Sequence, residues 1–275
     1  MHSKISRFFD KRAKFPNAVN AAKATLSCFA VMAGLALFSP HLAFAQAEPL
    51  SDRLTGDVGG AVYGAPSVIR SKGTGTSLLP YGFFEYGRVF ARVDTLGIKT
   101  MPIGYGYLEL VGRVSQDGWR ANTAALAGLA DRKTPIPLGI GTFQQTPYGV
   151  FIVNAFVDAN TSRGSLLEAT YAAQFKLGPV SFYPQLGLER RSAQYTNYLY
   201  GVTPAEAAAS SYAAYTAGAS TIPVLGLGVD IPLGAPWVIS LQLRRKWLDS
   251  AVTNSPLVSR KTQDSGFLAL SYRFK

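Results

Sequence analysis

Hydrophobic and polar residues alternate along six segments of this chain, each about ten residues long. A period of two places the apolar side chains of a segment on one face of a β-strand, because successive side chains of a strand point to opposite sides. The opposite faces are mostly small, polar or charged, so each predicted strand separates two different environments. The apolar sets are Leu108, Leu110 and Val114; Leu167, Ala169, Tyr171, Ala173 and Phe175; Val180, Phe182, Pro184, Leu186 and Leu188; Leu225, Leu227, Val229 and Ile231; Ile239, Leu241 and Leu243; and Leu268, Leu270, Tyr272 and Phe274.

The connections between the predicted strands are of two kinds. Short turns at 176–180 and 232–236 interleave with long polar stretches at 116–134, 199–218 and 251–264. A soluble β-sandwich also has alternating strands. Unequal connections are typical of outer-membrane barrels, which have tight periplasmic turns and long external loops. The apolar face of one strand also ends in Arg245 and Trp247, as expected for a girdle at the membrane interface.

The strand count predicts an all-β, antiparallel transmembrane outer-membrane β-barrel. Segment 87–104 is too long for one strand and is expected to reverse near Asp94 and Thr95, which raises the count from eleven to twelve. An even number fits a bacterial single-chain barrel, and ten strands remain possible if 135–145 is only a loop. The predicted strands are 56–64, 76–86, 87–104, 104–115, 135–145, 146–158, 165–177, 178–198, 217–232, 235–251 and 264–274.

The amino-terminal segment has the order of a secretory signal peptide. Six basic residues are followed by the apolar run LSCFAVMAGLALF and by small residues at 43–45. We expect residues 1–45 to be cleaved, residues 46–55 to form a periplasmic lead-in, and residues 56–275 to form the barrel. No later stretch is apolar for long enough to predict a membrane-spanning helix.

Cleavage at this point changes the available chemistry. The removed segment holds the only cysteine, Cys28, and both histidines, His2 and His41. Catalysis by Ser-His-Asp or Cys-His and zinc sites built on Cys and His are thereby excluded, and we expect no cofactor and no metal. The segment carries six basic residues and one acidic residue, so its loss lowers the formal charge from +11 to +6. That excess fits contact with outer-membrane lipid and lipopolysaccharide, and nucleic acid is not expected as a partner of an exported chain.

Charged residues on the opposite faces of the strands are expected to point into the barrel. They either line a water-filled pore or pair across the lumen and plug it, and pairing is favoured because opposite charges in a partly desolvated interior satisfy each other. Nothing in the spacing supports a glycosidase-like pair of Glu109 and Glu168. The candidate lumen charges are Glu109, Arg113, Glu168, Lys176, Glu189, Arg191, Asp230, Arg244, Lys246 and Arg273.

The stretch 198–218 predicts a short helix in an external loop. Thr203 suits the N-cap, Pro204 suits the first helical position, and Glu206 lies three residues after Thr203, which completes a capping box. Such a loop is either a lid that packs on the barrel mouth or a recognition surface, and the sequence does not choose between them.

Two stretches of the chain carry a pattern that is known from other proteins. A Ser-Pro-Leu-Val element at 255–258 precedes the last strand, 264–274, and the loop pattern consists of Tyr200, Gly201, Val202, Thr203, Pro204, Glu206, Ala207, Ser210, Tyr215 and Gly218. In both stretches the chain resembles the MipA/OmpV family of MltA-interacting outer-membrane proteins. The order of hairpins from 56 to 198 is similar as well.

The resemblance implies a non-enzymatic role in the outer membrane. Members are described as scaffolds that bring a lytic murein transglycosylase together with a murein synthase, and the family has no catalytic residues to carry over. Two alternatives remain open: a narrow channel for small solutes that uses the charged lumen, and a surface adhesin or sensor that uses the loop 199–218.

Overall fold

The computed structural model describes residues 47–274, which form one closed antiparallel β-barrel. Each strand pairs with its sequence neighbours, and the first strand pairs with the last to close the sheet. The predicted twelve-stranded barrel is therefore confirmed, while the predicted signal peptide, 1–45, lies outside the described residues. The strands are β1 (Thr55–Pro66), β2 (Thr74–Tyr86), β3 (Val89–Arg92), β4 (Thr95–Ile103), β5 (Gly106–Arg113), β6 (Pro137–Thr146), β7 (Gly149–Asp158), β8 (Ser165–Ala172, continued as Phe175–Leu177), β9 (Val180–Arg191), β10 (Ser220–Gly234), β11 (Trp237–Trp247) and β12 (Thr262–Phe274).

The predicted reversal near Asp94 is confirmed, because β3 ends at Arg92 and β4 begins at Thr95. Val93 makes this turn with φ at 58°, a conformation that is rare for a β-branched residue. The ten-stranded alternative is wrong, since 137–146 is a strand with partners on both sides.

Two predicted strands extend too far. The prediction 178–198 fails after Arg191, because Ser192 caps the helix α1 (Ala193–Tyr200) and its hydroxyl accepts a hydrogen bond from the Tyr195 N–H. The prediction 235–251 fails after Trp247, and a short helix, α3 (Ser250–Thr253), follows in the next loop. Both strands stop at the barrel rim. At the first of these ends, capping by Ser192 competes with the alternation of the sequence, whereas the N-cap of α3, Asp249, makes no capping hydrogen bond with its side chain.

The apolar faces of the strands point away from the barrel axis. On β12, Leu268 and Leu270 are about half exposed, at 54% and 50%, whereas the alternate residues Ala269 and Ser271 are buried inside. Near the end of that strand, Tyr272 packs edge-on against Trp237, with ring centroids 5.8 Å apart. An outer band of exposed apolar residues with aromatic residues at its edge is what a lipid-facing barrel requires.

The two ends of the barrel differ strongly. At the short-turn end, the strands are joined by two-residue turns at 87–88, 104–105, 147–148, 178–179 and 235–236. At the long-loop end, the connections are 67–73, 93–94, 114–136, 159–164, 192–219 and 248–261. Within residues 47–274, no helix is both long enough and apolar enough to cross a membrane.

Candidate functional site

Four connections at the long-loop end fold over the barrel mouth. We call them the loop cap: residues 67–73, 114–136, 192–219 and 248–261. Their apolar side chains pack with residues of the upper barrel interior into one buried cluster. The cap therefore has a hydrophobic core of its own and covers the mouth. The cap residues of the cluster are Val68, Ile69, Leu126, Leu129, Tyr195, Leu199, Tyr200, Val202, Leu248, Val252, Leu257 and Val258.

The predicted capping box is present at the start of the helix α2 (Pro204–Ala209). The Thr203 hydroxyl accepts a hydrogen bond from the Glu206 N–H, and the Glu206 carboxylate accepts one from the Thr203 N–H. The same carboxylate reaches the neighbouring loop, where Arg132 donates to it at 2.8 and 3.1 Å and the Ala130 N–H donates at 3.0 Å. Burial alone would raise the pKa of Glu206, but these hydrogen bonds outweigh it and lower the pKa to about 2. Glu206 thus ties two loops of the cap together as a buried carboxylate.

Several other residues of the family motif also hold the cap in place. The Tyr200 carbonyl accepts a hydrogen bond from the Ser255 hydroxyl at 2.6 Å. Val202 and Tyr215 exchange backbone hydrogen bonds, and the Tyr215 hydroxyl donates to the Ala251 carbonyl at 3.0 Å.

The rest of the motif divides between buried and exposed positions. At the end of α1, Gly201 accepts a hydrogen bond from Arg132, and a Cβ there would lie 2.4 Å from the side-chain oxygen of Asn197. Ala207 packs against the buried cluster, and the Ser210 hydroxyl accepts a hydrogen bond from the Tyr212 N–H. Pro204 and Gly218 are exposed. The motif mainly builds the inside of a lid.

Charged residues in the upper lumen form a first network of ion pairs, made of one group around Arg113 and another around Arg191 and Glu189 that share no residue. It includes five of the candidate lumen charges together with Asp94 and Asp117, which were not predicted to be lumen charges. Each cation of the network lies against at least one carboxylate, as required for charges removed from water. The pairs are Arg113 with Glu168, Arg113 with Asp94 at 3.1 Å, Arg191 with Glu189 at 3.1 Å, Arg191 with Asp117 at 3.4 Å, and Lys246 with Glu189 at 2.5 Å.

A second network fills the lumen between β2 and β5. Arg92 binds Glu109 at 2.8 Å and Glu85 at 3.0 Å, and Lys99 binds Glu85 at 2.5 Å. The Arg92 guanidinium also lies 4.0 Å from the centre of the Phe143 ring. Arg92 and Lys99 were missed because the exact reversal point of 87–104 decides which side chains of that segment face inward. Glu85 lies on the predicted strand 76–86 and was not named as a lumen charge.

A third cluster lies near the short-turn end. Arg273 binds Asp57 at 2.6 Å and Asp230 at 3.3 Å, and the Ser240 hydroxyl donates to Asp230 at 2.7 Å. The two other candidate lumen charges, Lys176 and Arg244, have no ion pair with any residue of 47–274. Lys176 is exposed beside the turn 178–179, whereas Arg244 is half-buried inside the barrel.

The paired carboxylates are poorly arranged for chemistry. Glu109 and Glu168 belong to different networks, and each is held by its own arginine. Among the residues that the structure describes, no group of three His, Cys, Asp or Glu side chains could hold a metal ion.

The lead-in, residues 47–54 of the structure, lies against the short-turn end. The Ser51 carbonyl accepts a hydrogen bond from the Gly87 N–H at 2.8 Å, and the Glu48 carbonyl accepts one from the Tyr107 hydroxyl at 2.7 Å. Two turn residues on the same end, Tyr105 and Tyr148, are exposed, Tyr148 to 83%. This end therefore offers a strip of chain held by hydrogen bonds, and exposed tyrosines on two of its turns.

Comparison with known proteins gives a consistent picture. A family model described as MltA-interacting protein MipA matches residues 58–274. The relative YiaT of Escherichia coli (strain K12) is 25% identical over 246 residues, covering 87% of this chain and 97% of that protein. Omp26La of Vibrio anguillarum is 30% identical over 184 residues, covering 66% of this chain and 67% of its own. The MltA-interacting protein of E. coli (strain K12) is 25% identical over 147 residues, covering 53% of this chain and 59% of that protein.

The family match covers almost the entire barrel, and the resemblance noted in the sequence is confirmed. Several matched relatives are named as outer membrane proteins. In barrels of that membrane the short turns face the periplasm and the long loops face outward, which orients the molecule. The chain is an outer-membrane β-barrel and belongs to the family whose model is described as MltA-interacting protein MipA.

Proposed function

We propose that this barrel is a non-enzymatic scaffold that brings a lytic murein transglycosylase together with a murein synthase beneath the outer membrane. Family membership supports the choice of partners, since one relative is named for its interaction with MltA. The structural observation that carries the proposal is the lead-in held against the periplasmic end. Without it, the two-residue turns would offer a partner little protein surface.

The proposed contact surface consists of the lead-in and the neighbouring turns. Asp52 and Arg53 are exposed on the lead-in, and Tyr105 and Tyr148 are exposed on the turns. Exposed tyrosines are common centres of binding energy in protein interfaces, because a large rigid side chain is buried at low entropic cost. Hydrogen bonds to Gly87 and Tyr107 hold the lead-in before a partner arrives, which reduces the ordering cost of binding.

The interior of the barrel supports a scaffold better than a channel. The loop cap closes the outer mouth with a packed apolar cluster, and three clusters of ion pairs occupy the lumen below it. The loop 199–218 is a poor recognition surface for an adhesin or sensor. Four of its residues are buried within the loop cap: Tyr200, Gly201, Val202 and Glu206. A non-enzymatic role is consistent with carboxylates that are neutralised by arginine and lysine.

The proposal is tested by capture and then by direct binding. The folded barrel in lipid nanodiscs is incubated with envelope extract, and an unrelated outer-membrane barrel serves as the control bait. We expect enrichment of a lytic murein transglycosylase and a murein synthase, and we expect the two enzymes to associate more strongly when the barrel is present.

Binding of the purified transglycosylase then locates the surface. Tyr148→Ala on the periplasmic turn should weaken binding by about tenfold or more, as expected for a central aromatic contact. Arg120→Ala, which removes an exposed side chain from the loop cap, should leave it unchanged. Absence of enrichment over the control barrel, or equal effects of the two variants, would contradict the proposal.

A further inference from the structure

The barrel wall is incomplete between β2 and β5 on the long-loop side. The hairpin of β3 and β4 is short and reverses at 93–94, whereas β2 continues upward to Thr74. The last backbone bond between β2 and this hairpin runs from the Val93 N–H to the Gly82 carbonyl, at 2.7 Å. Above it, residues 74–81 of β2 pair with β1 but with no other strand in the described part of the chain.

This gap is framed on every side, and we call it the lateral window. Its lower edge is the turn at 93–94, and its far edge is the segment 114–118, which joins the hairpin where the Val114 N–H donates to the Asp94 carbonyl. Its upper edge is Lys72, whose ammonium group donates to the Arg120 carbonyl at 2.9 Å and to the Asn122 side chain at 2.7 Å. The opening thus lies in the wall below the loop cap.

The lateral window opens at the level of lipid. Leu78, on the free edge of β2, pairs with Val62, and Val62 pairs with Leu268 on the other side. All three side chains point outward and are exposed, Leu78 to 81%. They belong to the apolar outer band, so the window faces hydrocarbon rather than water.

The free edge of β2 is poorly suited to a partner strand. Backbone groups of alternate residues point to the same side, so Pro80 faces the window in the same way as Gly82. Proline has no N–H to donate, and proline on an edge strand discourages strand addition. An occupant that does not need a regular hydrogen-bond ladder fits this edge better.

A cavity of about 760 Å³ lies behind the window and continues into the lumen. On the lipid side it is lined by the outward residues Pro80, Leu96 and Val114, and on the lumen side by Tyr63, Gln263 and Arg244. Its volume is in the range of sites for small molecules, and its lining changes from apolar to polar along its length.

Arg244 lines the cavity and belongs to none of the ion-pair networks. Lys246 and Arg113, which also line the cavity, each have a carboxylate partner. Arg244 makes no hydrogen bond and no ion pair with residues 47–274, and its Nε is buried without a partner. The two carboxylates that line the cavity are paired elsewhere, Asp94 with Arg113 and Asp117 with Arg191, and Asp94 acts on Arg244 only at longer range. A half-buried guanidinium without a carboxylate in contact favours an anionic group from outside the chain.

We propose that the cavity binds a single-chain anionic amphiphile of the long-chain fatty acid class. The carboxylate lies on Arg244, and the acyl chain passes Pro80 and Val114 and leaves through the lateral window into the outer-membrane lipid. This activity is separate from the scaffold surface at the periplasmic end.

Palmitate binding to the folded barrel in zwitterionic nanodiscs tests the proposal, with hexadecanol as the neutral probe of equal chain length. We expect saturable binding of one palmitate per barrel and binding of hexadecanol that is at least about tenfold weaker. Arg244→Gln should weaken palmitate binding by at least about tenfold. Arg245→Gln is the matched control and should have no effect, because Arg245 points outward and pairs with Asp264 at 2.6 Å.

A photoreactive group at the methyl end of the fatty acid provides a second measurement on the unaltered protein. Labelling should concentrate on 74–82 and 114–118 rather than spread around the outer surface. Non-saturable binding, equal affinity for acid and alcohol, or even labelling of the outer band would overturn the proposal. A dimer formed through β2 that excludes palmitate would overturn it as well.

Discussion

The pair of Arg132 and Glu206 gives the sharpest test of how the loop cap is held. Glu206→Ala removes a carboxylate that accepts hydrogen bonds from Arg132, the Ala130 N–H and the Thr203 N–H, and it leaves a buried arginine without a partner. Breaking a buried pair in this way costs about 3–5 kcal/mol. At about 1.4 kcal/mol for each factor of ten, the opening equilibrium of the cap should rise roughly a hundredfold to several thousandfold.

Hydrogen exchange on the folded barrel in nanodiscs measures this opening directly. The amides of Ala130 and Thr203 should lose protection in Glu206→Ala, whereas amides of the barrel strands should keep theirs, because the strand ladder does not depend on the pair. Limited proteolysis should cut within 114–136 and 192–219 at a rate that follows the opening equilibrium.

A double-mutant cycle separates the pair from the other effects of truncation. Arg132→Met combined with Glu206→Ala should cost less than the sum of the two single changes, since the uncompensated charge is then also removed. Unchanged exchange at Ala130 and Thr203 in the single variant would refute the reasoning, as would strict additivity in the cycle.

Three further predictions concern other parts of the molecule. The pKa of Glu206 is lowered to about 2 from an ordinary value of 4.5. The ionised carboxylate therefore contributes fully to cap stability above about pH 5, and this contribution is lost as the pH falls toward 2. Pepsin cleavage of the cap should accelerate as the pH falls over this range, and more in the wild type than in Glu206→Gln. Val93→Gly should stabilise the folded barrel against urea by about 1–2 kcal/mol by removing the strain at φ 58°, and a loss of stability would show that the Val93 side chain contributes more than the strain costs. Leu270→Arg should destabilise the barrel by about 2–4 kcal/mol in lipid, measured by urea unfolding in vesicles, whereas an effect near zero would place Leu270 outside the hydrocarbon.

The period of two was sufficient to predict the strands, because each alternating set has one lipid-facing side. It predicted the outward face of β12 directly. The twelfth strand was predicted instead from the length of 87–104 and from the even number expected for such a barrel. It failed where local hydrogen bonding competes with alternation, as at Ser192, whose hydroxyl starts a helix although the following residues still alternate. The turn propensity of valine does not predict the turn at Val93, because valine disfavours the conformation that it adopts there.

The candidate site was less accessible from the sequence than the fold. The capping box at Thr203 is local and was predicted from spacing alone. Its partner Arg132 lies 74 positions away from Glu206, and only the packed loops bring them together. Which lumen charges pair depends on the register of strands around the barrel, and Arg273 meets Asp57 only because β12 pairs with β1. The lateral window arises from a short hairpin, whose length the apolar pattern does not determine.

The loop cap also bears on how the barrel is assembled. The first loop contributes Ile69, which pairs with Val258 of the last loop, and Arg70 donates a backbone hydrogen bond to the Leu257 carbonyl at 2.8 Å. These contacts join the first and last long loops of the barrel. We therefore expect them to form only after the first and last strands have paired. Contacts between such distant positions form slowly, because a long segment must be closed before they are gained. The appearance of a protease-resistant cap during membrane insertion should therefore report completed closure, later than the appearance of strand structure.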